Sequence, residues 1–210
     1  MGFIDQFSSM HLDILKEIGN IGAGHAATAL SELLNKKIEM NVPNVRIVSF
    51  DEMIDIAGGS ESIAACVFLR IEGEAGGNMF FVLPLSQATH YIRLMTGNAD
   101  FSLTTPPYDE MALSALQELG NILSGSYLTA LADFTQLSLY PTVPAVVIDM
   151  VGAIISFGLM EYSRVSDQCI VIDTALKEEG AASVRGHFFL FPDPDTFKTI
   201  FSALGVSRND

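Results

Sequence analysis

The sequence predicts an α+β fold of two similar halves, related by an approximate two-fold axis and sharing one β-sheet, with a long helix opening each half. Three observations predict it. Segment 17–45 can be laid over 118–146 at a constant offset of 101, with 11 of 29 positions identical, where average composition gives about two. Segment 80–84 (FFVLP) answers 188–192 (FFLFP) at an offset of 108, with Ile92/Ile200 and Gly97/Gly205 in step. Helical periodicity then gives way to strand-like alternation in the same order in both copies.

In the first copy Leu12, Leu15, Ile18, Ala26, Leu30 and Leu33 recur at three- and four-residue steps, the spacing that gathers apolar side chains on one helix face. Met111, Leu113, Leu116, Leu119, Leu123 and Leu131 do the same less regularly in the second. Strand pairs follow at 63–72 and 78–84, and at 168–175 and 183–192. Closing helices are expected near Ser86 and near Asp193, where Asp193-Pro194 looks like an N-cap followed by proline at the first helical position. The halves, about 9–98 and 108–206, meet at 99–108, where Thr104-Thr105-Pro106-Pro107 suits neither helix interior nor central strand. A single unit spanning 1–210 is favoured by the short linker and the apolar content of both halves. Two separate domains are the alternative.

Composition narrows the function. Apolar residues make up 49% and charged residues 17% of the 210, too hydrophobic for a disordered chain. A net charge of −14 repels phosphate backbones and anionic lipid, so neither nucleic acid nor a membrane surface is expected as partner. The apolar stretch 145–160 contains Asp149 and falls short of the roughly 20 residues that cross a bilayer. It reads as buried core, and no membrane insertion is expected. The N-terminus carries no basic and apolar leader pattern, and position 6 is Gln where a myristoylation motif takes Ser or Thr. Cys66 and Cys169 sit in apolar strand-like runs, as small buried thiols do, and a cytoplasmic location fits.

Chemistry points to polar residues that the duplication repeats. Glu17 and Asn20, like Glu118 and Asn121, are spaced i, i+3 on one helix face, and Asp13 or Ser114 four residues earlier extends that face by a turn. A solvated face accounts for any single Glu-x-x-Asn, but asparagine is a poor helix former whose repetition solvation does not require. Gly19, Gly22 and Gly24 each cost a helix up to about 1 kcal/mol relative to alanine. Either the long helices pack closely there or a partner's backbone approaches the Glu/Asn face. Residues 22–27 also fit G-x-G-x-x-G/A, but helix rather than strand precedes them and the second copy lacks the first glycine, which excludes a dinucleotide site. The four histidines lack zinc spacing, and no metal site is expected.

The run [DS]-x3-E-x2-N-x22-P occurs twice, as Asp13, Glu17, Asn20, Pro43 and as Ser114, Glu118, Asn121, Pro144. It resembles the signature of the CheC/CheX/FliY family of chemotaxis phosphatases, along the whole chain. Two complete motifs in about 210 residues are similar to the CheC branch; CheX is shorter with one motif, and FliY adds a flagellar-switch domain. The resemblance implies hydrolysis of the aspartyl phosphate of the response regulator CheY-P, the Mg²⁺ residing on that partner and no cofactor on this chain. Asn20 and Asn121 would each orient the attacking water, as a glutamine does in GTPases, while Glu17 and Glu118 pair with a lysine beside the phosphoryl group. Asp13 and Ser114 would act as N-caps or orient the motif residues, and Pro43 and Pro144 would shape a turn. The resemblance also implies a second partner, the receptor deamidase CheD, which would raise activity through the segment 147–162. There Asp149 is either a contact residue or an ordinary helix-start acid. A binding module that sequesters CheY-P or CheD without hydrolysis is the competing reading.

Overall fold

A computed structural model describes residues 8–104, 106–162, 168–180, 183–193 and 195–206, the side chains of 157–162 excepted. The first half runs α1 (Ser9–Leu34), β1 (Ile38–Asn41), β2 (Val45–Ser49), α2 (Phe50–Ile56), β3 (Ile63–Gly73), β4 (Gly77–Pro84), α3 (Leu85–Thr96). The second repeats that order as α4 (Glu110–Thr135), β5 (Leu139–Pro141), β6 (Ala145–Met150), α5 (Val151–Tyr162), β7 (Gln168–Glu178), β8 (Val184–Pro192), α6 (Thr196–Ala203).

The long helices have the same length and the same ending. Each spans 26 residues and stops at a residue in the left-handed region, Asn35 (φ 49°) or Gln136 (φ 58°), at the repeat offset of 101. A left-handed residue turns the chain out of the helix and lets its N–H satisfy a last-turn carbonyl. The starts differ: Ser8 precedes α1 and donates its N–H to His11 Nδ1 at 3.1 Å, whereas the Asp109 carboxylate caps α4 by accepting from Met111 N at 2.8 Å and Ala112 N at 3.1 Å. Asp13 and Ser114 therefore sit in the second helical turn and are not the N-caps, one of the two roles the sequence left open for them.

The strands form one eight-stranded antiparallel sheet in the order β1-β7-β8-β4-β3-β5, with β2 also on β7 and β6 also on β3. The first half's short strands pair with the second half's β7, and the second half's short strands pair with the first half's β3. At the centre β4 pairs with β8 through Phe80↔Phe189 and Phe81↔Phe188. These two pairs exchange under the 108-residue offset, so the pseudo-two-fold passes between them. Alternation along the strands sorts side chains to two faces. One packs Val67, Leu69, Phe81, Leu83, Ile170 and Phe188 beneath α1 and α4, and the other packs Cys66, Phe80, Val82, Cys169, Val171 and Phe189 beneath α2 and α5. Each fully buried leucine or phenylalanine contributes about 1.5–3 kcal/mol.

Two expectations are corrected. The closing helix α6 begins at Thr196 after Asp195. Asp193 instead forms a two-pronged pair with Arg70 of β3, including Nη1 to Oδ1 at 2.9 Å; Pro194 lies outside the described residues. The stretch 145–160 is not uniformly core: β6 is a sheet edge with Val147 and Met150 exposed, and burial begins at Val151, Ile154 and Ile155 of α5. A sheet edge lacks a covering neighbour on one side, which apolar composition cannot reveal. The linker is anchored, with Leu103 buried and Phe101 O accepting from Arg93 Nε at 2.7 Å.

Candidate functional site

The two helices lie antiparallel against each other on the sheet, and Gly22 sets how closely. A Cβ at Gly22 would come within 2.9 Å of Tyr127 Cα in α4, so a side chain there would force the helices apart. Among the described residues nothing lies within 4 Å of a Cβ at Gly24 or at its mate Gly125. Glu17, Asn20 and Gly24, like Glu118, Asn121 and Gly125, are spaced i, i+3, i+7 along one helix face. Packing thus explains Gly22, while Gly24 and Gly125 leave room for another molecule beside the carboxylate and amide. The same helical residues 22–27 exclude a strand-to-helix dinucleotide turn.

The ridge on α1 displays Asp13 and Glu17 to solvent, with Asn20 half-buried; the ridge on α4 displays Ser114, Glu118 and Asn121, all exposed. Their amides are held differently. Asn20 brackets the backbone of Val42, accepting from Val42 N at 2.9 Å and donating to Val42 O at 3.2 Å, with a further bond to Lys16 O at 3.0 Å. The Asn121 carboxamide has no hydrogen-bond partner among the described residues. Its half ties the strand connector to the helix through Gln117, whose Nε2 donates to Pro144 O at 2.9 Å. Val42 is accordingly 1% exposed and its mate Val143 82%. Pro43 is exposed and Pro144 buried; both occupy the bend between two short strands.

Sequence reasoning missed three neighbours of these ridges. Gln117 was detectable as a mismatch, since Lys16 stands at the same place in the first copy. Tyr91 of α3 is buried with its hydroxyl unpartnered among the described residues, and burial, with the Glu118 carboxylate adding to it, pushes that phenol well above its usual range. Phe134, at the far end of α4, lines a groove with Asp13 and Glu17, a contact between elements that only the helix register reveals.

Asp149 lies near the end of β6, opposite Ala64, exposed, with Oδ1 accepting from Met150 N at 2.7 Å. It stands on the strand rather than in the first turn of α5, which has no acid. Glu161 lies among side chains outside the described residues. Cys66 and Cys169 are free and buried, and burial pushes both thiols up to about 12, too high for a reactive thiolate. Among the described residues no three His, Cys, Asp or Glu side chains cluster to hold a metal ion, and no helix is long and apolar enough to cross a membrane.

A duplicated α+β fold with a Glu-x-x-Asn ridge on each of two paired helices defines a distinct class of protein, and comparisons identify it. A family model described as CheC-like matches twice, at residues 10–47 and 111–148. The chain is 50% identical over 208 residues to the CheY-P phosphatase CheC of Bacillus subtilis (strain 168), covering 99% of this chain and 100% of that one. It is 36% identical over 129 residues to the flagellar motor switch phosphatase FliY of the same organism, covering 61% of this chain and 33% of that one. The crystal structure of Thermotoga maritima FliY superposes with a TM-score of 0.75 at 23% identity, covering 95% of this chain and 98% of that one, a likeness of fold. The chain belongs to the CheC-like family.

Proposed function

We propose that the chain is a protein phosphatase that hydrolyses the aspartyl phosphate of the response regulator CheY-P. The observation that carries this reading is the α4 ridge, where Glu118 and a carboxamide without a partner among the described residues stand exposed beside the open surface at Gly125. The half-identical relative is itself a CheY-P phosphatase. An acyl phosphate is labile, so the catalyst chiefly places a water in line with the scissile bond. The Asn121 carboxamide can accept from that water through its oxygen and donate through its nitrogen. The water oxygen bonds to phosphorus as the phosphorus–oxygen bond to the aspartyl group breaks, giving phosphate and the free carboxylate. Mg²⁺ remains the partner's. Glu118, and Glu17 on the other ridge, fix the geometry by pairing with a partner lysine near the phosphoryl group.

Asn20 must release Val42 before it can do the same, an observation that favours the docking-without-hydrolysis reading for the first ridge in its present conformation. CheD is the proposed stimulating partner. The exposed edge formed by Val147, Asp149 and Met150 supports a contact there, since an unpaired sheet edge with apolar flanks is a common protein-binding surface.

Loss of phosphate from CheY-P, with and without the protein and with and without CheD, tests the reading. Acceleration that disappears in the Asn20→Ala, Asn121→Ala double variant is expected. Wild-type rates in that variant would exclude the mechanism, and no acceleration by the wild-type protein under any condition would leave a binding module.

A further inference from the structure

We infer that Phe134 of the second half is the docking residue of the first half's ridge, so that each ridge is a composite of both halves. An open groove of about 590 Å³ runs beside the α1 ridge, lined by buried Ile18, by Ile14 and exposed Ile21, by Asp13 and Glu17, and by Met10 and Phe134. Phe134 is 50% exposed although it belongs to the last turn of α4. Antiparallel packing brings it there: the register that sets Gly22 against Tyr127 carries the end of α4 to the start of α1. The pseudo-two-fold places Leu33, 52% exposed and at the repeat offset from Phe134, beside the start of α4, where exposed Met111 answers exposed Met10. An aliphatic side chain thus replaces the aromatic ring at the second ridge.

The occupant assigned to the groove is the response regulator itself. The groove is continuous with the Glu17 ridge, and its two rim carboxylates call for a basic surface with an apolar residue next to it, as a lysine beside a phosphoryl site would present. A half-exposed aromatic ring at the edge of a charged contact is the type of residue that dominates binding when covered. Phe134 acts by positioning the partner and does not reach the reacting atoms. This inference rests on the phosphatase reading.

Binding of CheY activated with beryllium fluoride, followed by fluorescence anisotropy, separates the two ridges when one is disabled. In Glu118→Lys only the first ridge docks; in Glu17→Lys only the second does. Phe134→Asp is expected to weaken binding about tenfold in the Glu118→Lys protein and to have no effect in the Glu17→Lys protein. The pattern reverses for Leu33→Asp. Phe134→Leu restores most of the affinity, and Phe134→Ala, a milder change, gives a loss in the same background if the aspartate variant does not fold. The inference is overturned if Phe134 variants bind normally in Glu118→Lys, if they weaken Glu17→Lys instead, or if Glu118→Lys fails to bind while the wild-type protein binds. A wild-type protein that neither binds activated CheY nor dephosphorylates CheY-P overturns the phosphatase reading itself.

Discussion

Asn20 and Asn121 occupy equivalent places in helices of equal length that both end on a left-handed residue, yet one amide grips Val42 and the other faces solvent. The residue one position after Lys16 or Gln117 is the motif glutamate in both copies, so the motif is intact and the divergence lies beside it. Gln117 reaches Pro144 O and fastens the connector by itself. Lys16 stands in that place, its ammonium a compact and strongly hydrated charge, and Asn20 fastens the connector instead. A duplicated sequence motif can therefore persist while one copy's amide takes a structural bond.

The largest effects should divide between the two amides. Asn121→Ala is expected to lower turnover of CheY-P roughly 10- to 100-fold, as removal of a water-positioning group does, with little change in melting temperature. Asn20→Ala should do the reverse. Losing both bonds to Val42 costs about 2 kcal/mol, a fall of about 4–8 °C for a chain of this size, while most turnover remains. Steady-state phosphate release and thermal unfolding of the two variants check the pair. Equal losses of turnover with no loss of stability would remove the distinction between the ridges.

The role of Gln117 can be transplanted. Lys16→Gln gives α1 a side chain able to donate to Pro43 O as Gln117 does to Pro144 O. In an Asn121→Ala background, where only the first ridge can turn over, it should raise the residual rate about threefold, near 0.6 kcal/mol. An unchanged rate would show that the Val42 contact, not the residue at position 16, holds Asn20.

Glycine offers a smaller test on both ridges. Because a Cβ at Gly125 meets nothing within 4 Å among the described residues, Gly125→Ala should raise stability by up to about 1 kcal/mol. It should also raise the KM for CheY-P, since the methyl stands between the ridge and its partner. Gly24→Ala should stabilise equally and change KM less. If Gly125→Ala only stabilises, the open surface is not a docking surface.

Much of this architecture is legible in the sequence because the duplication is. The long helices and strand pairs follow from periodicity read twice, the shared sheet from the duplication with its short linker and two apolar halves, and the Glu/Asn ridges from i, i+3 spacing. What escapes is set by distant contacts. Strands of three to six residues such as β1, β5 and β6 exist only because β7 and β3 supply their hydrogen-bond partners, and a run that short has no decisive pattern of its own. Asp193 reads as a helix cap until Arg70, 123 positions away, takes its carboxylate. The state of Asn20 depends on Val42, 22 residues on, and the composite groove depends on the register of two helices.

The smallest expected effect concerns the two short helices on the opposite face. In α2 Ser49 and Glu52 form a reciprocal cap: the Glu52 carboxylate accepts from Ser49 N at 2.8 Å and Ser49 Oγ accepts from Glu52 N at 3.2 Å, whereas α5 carries no acid in its first turn. The bond from the Ser49 backbone, then the Ser49 hydroxyl, hold the Glu52 carboxyl below its ordinary value of 4.5. A carboxyl lowered in the folded state adds stability above its unfolded value and loses it as pH falls through the folded one. Glu52→Gln keeps an oxygen to accept from Ser49 N but cannot titrate. Wild type should therefore melt slightly above Glu52→Gln at pH 6, and the gap should shrink as pH is lowered from about 4.5. Because Glu52 is exposed, salt should narrow only the part due to the charge at the helix start. A gap that widened toward low pH would show that the carboxylate destabilises α2, and the asymmetry between the halves would then be confined to the helices that carry the amides.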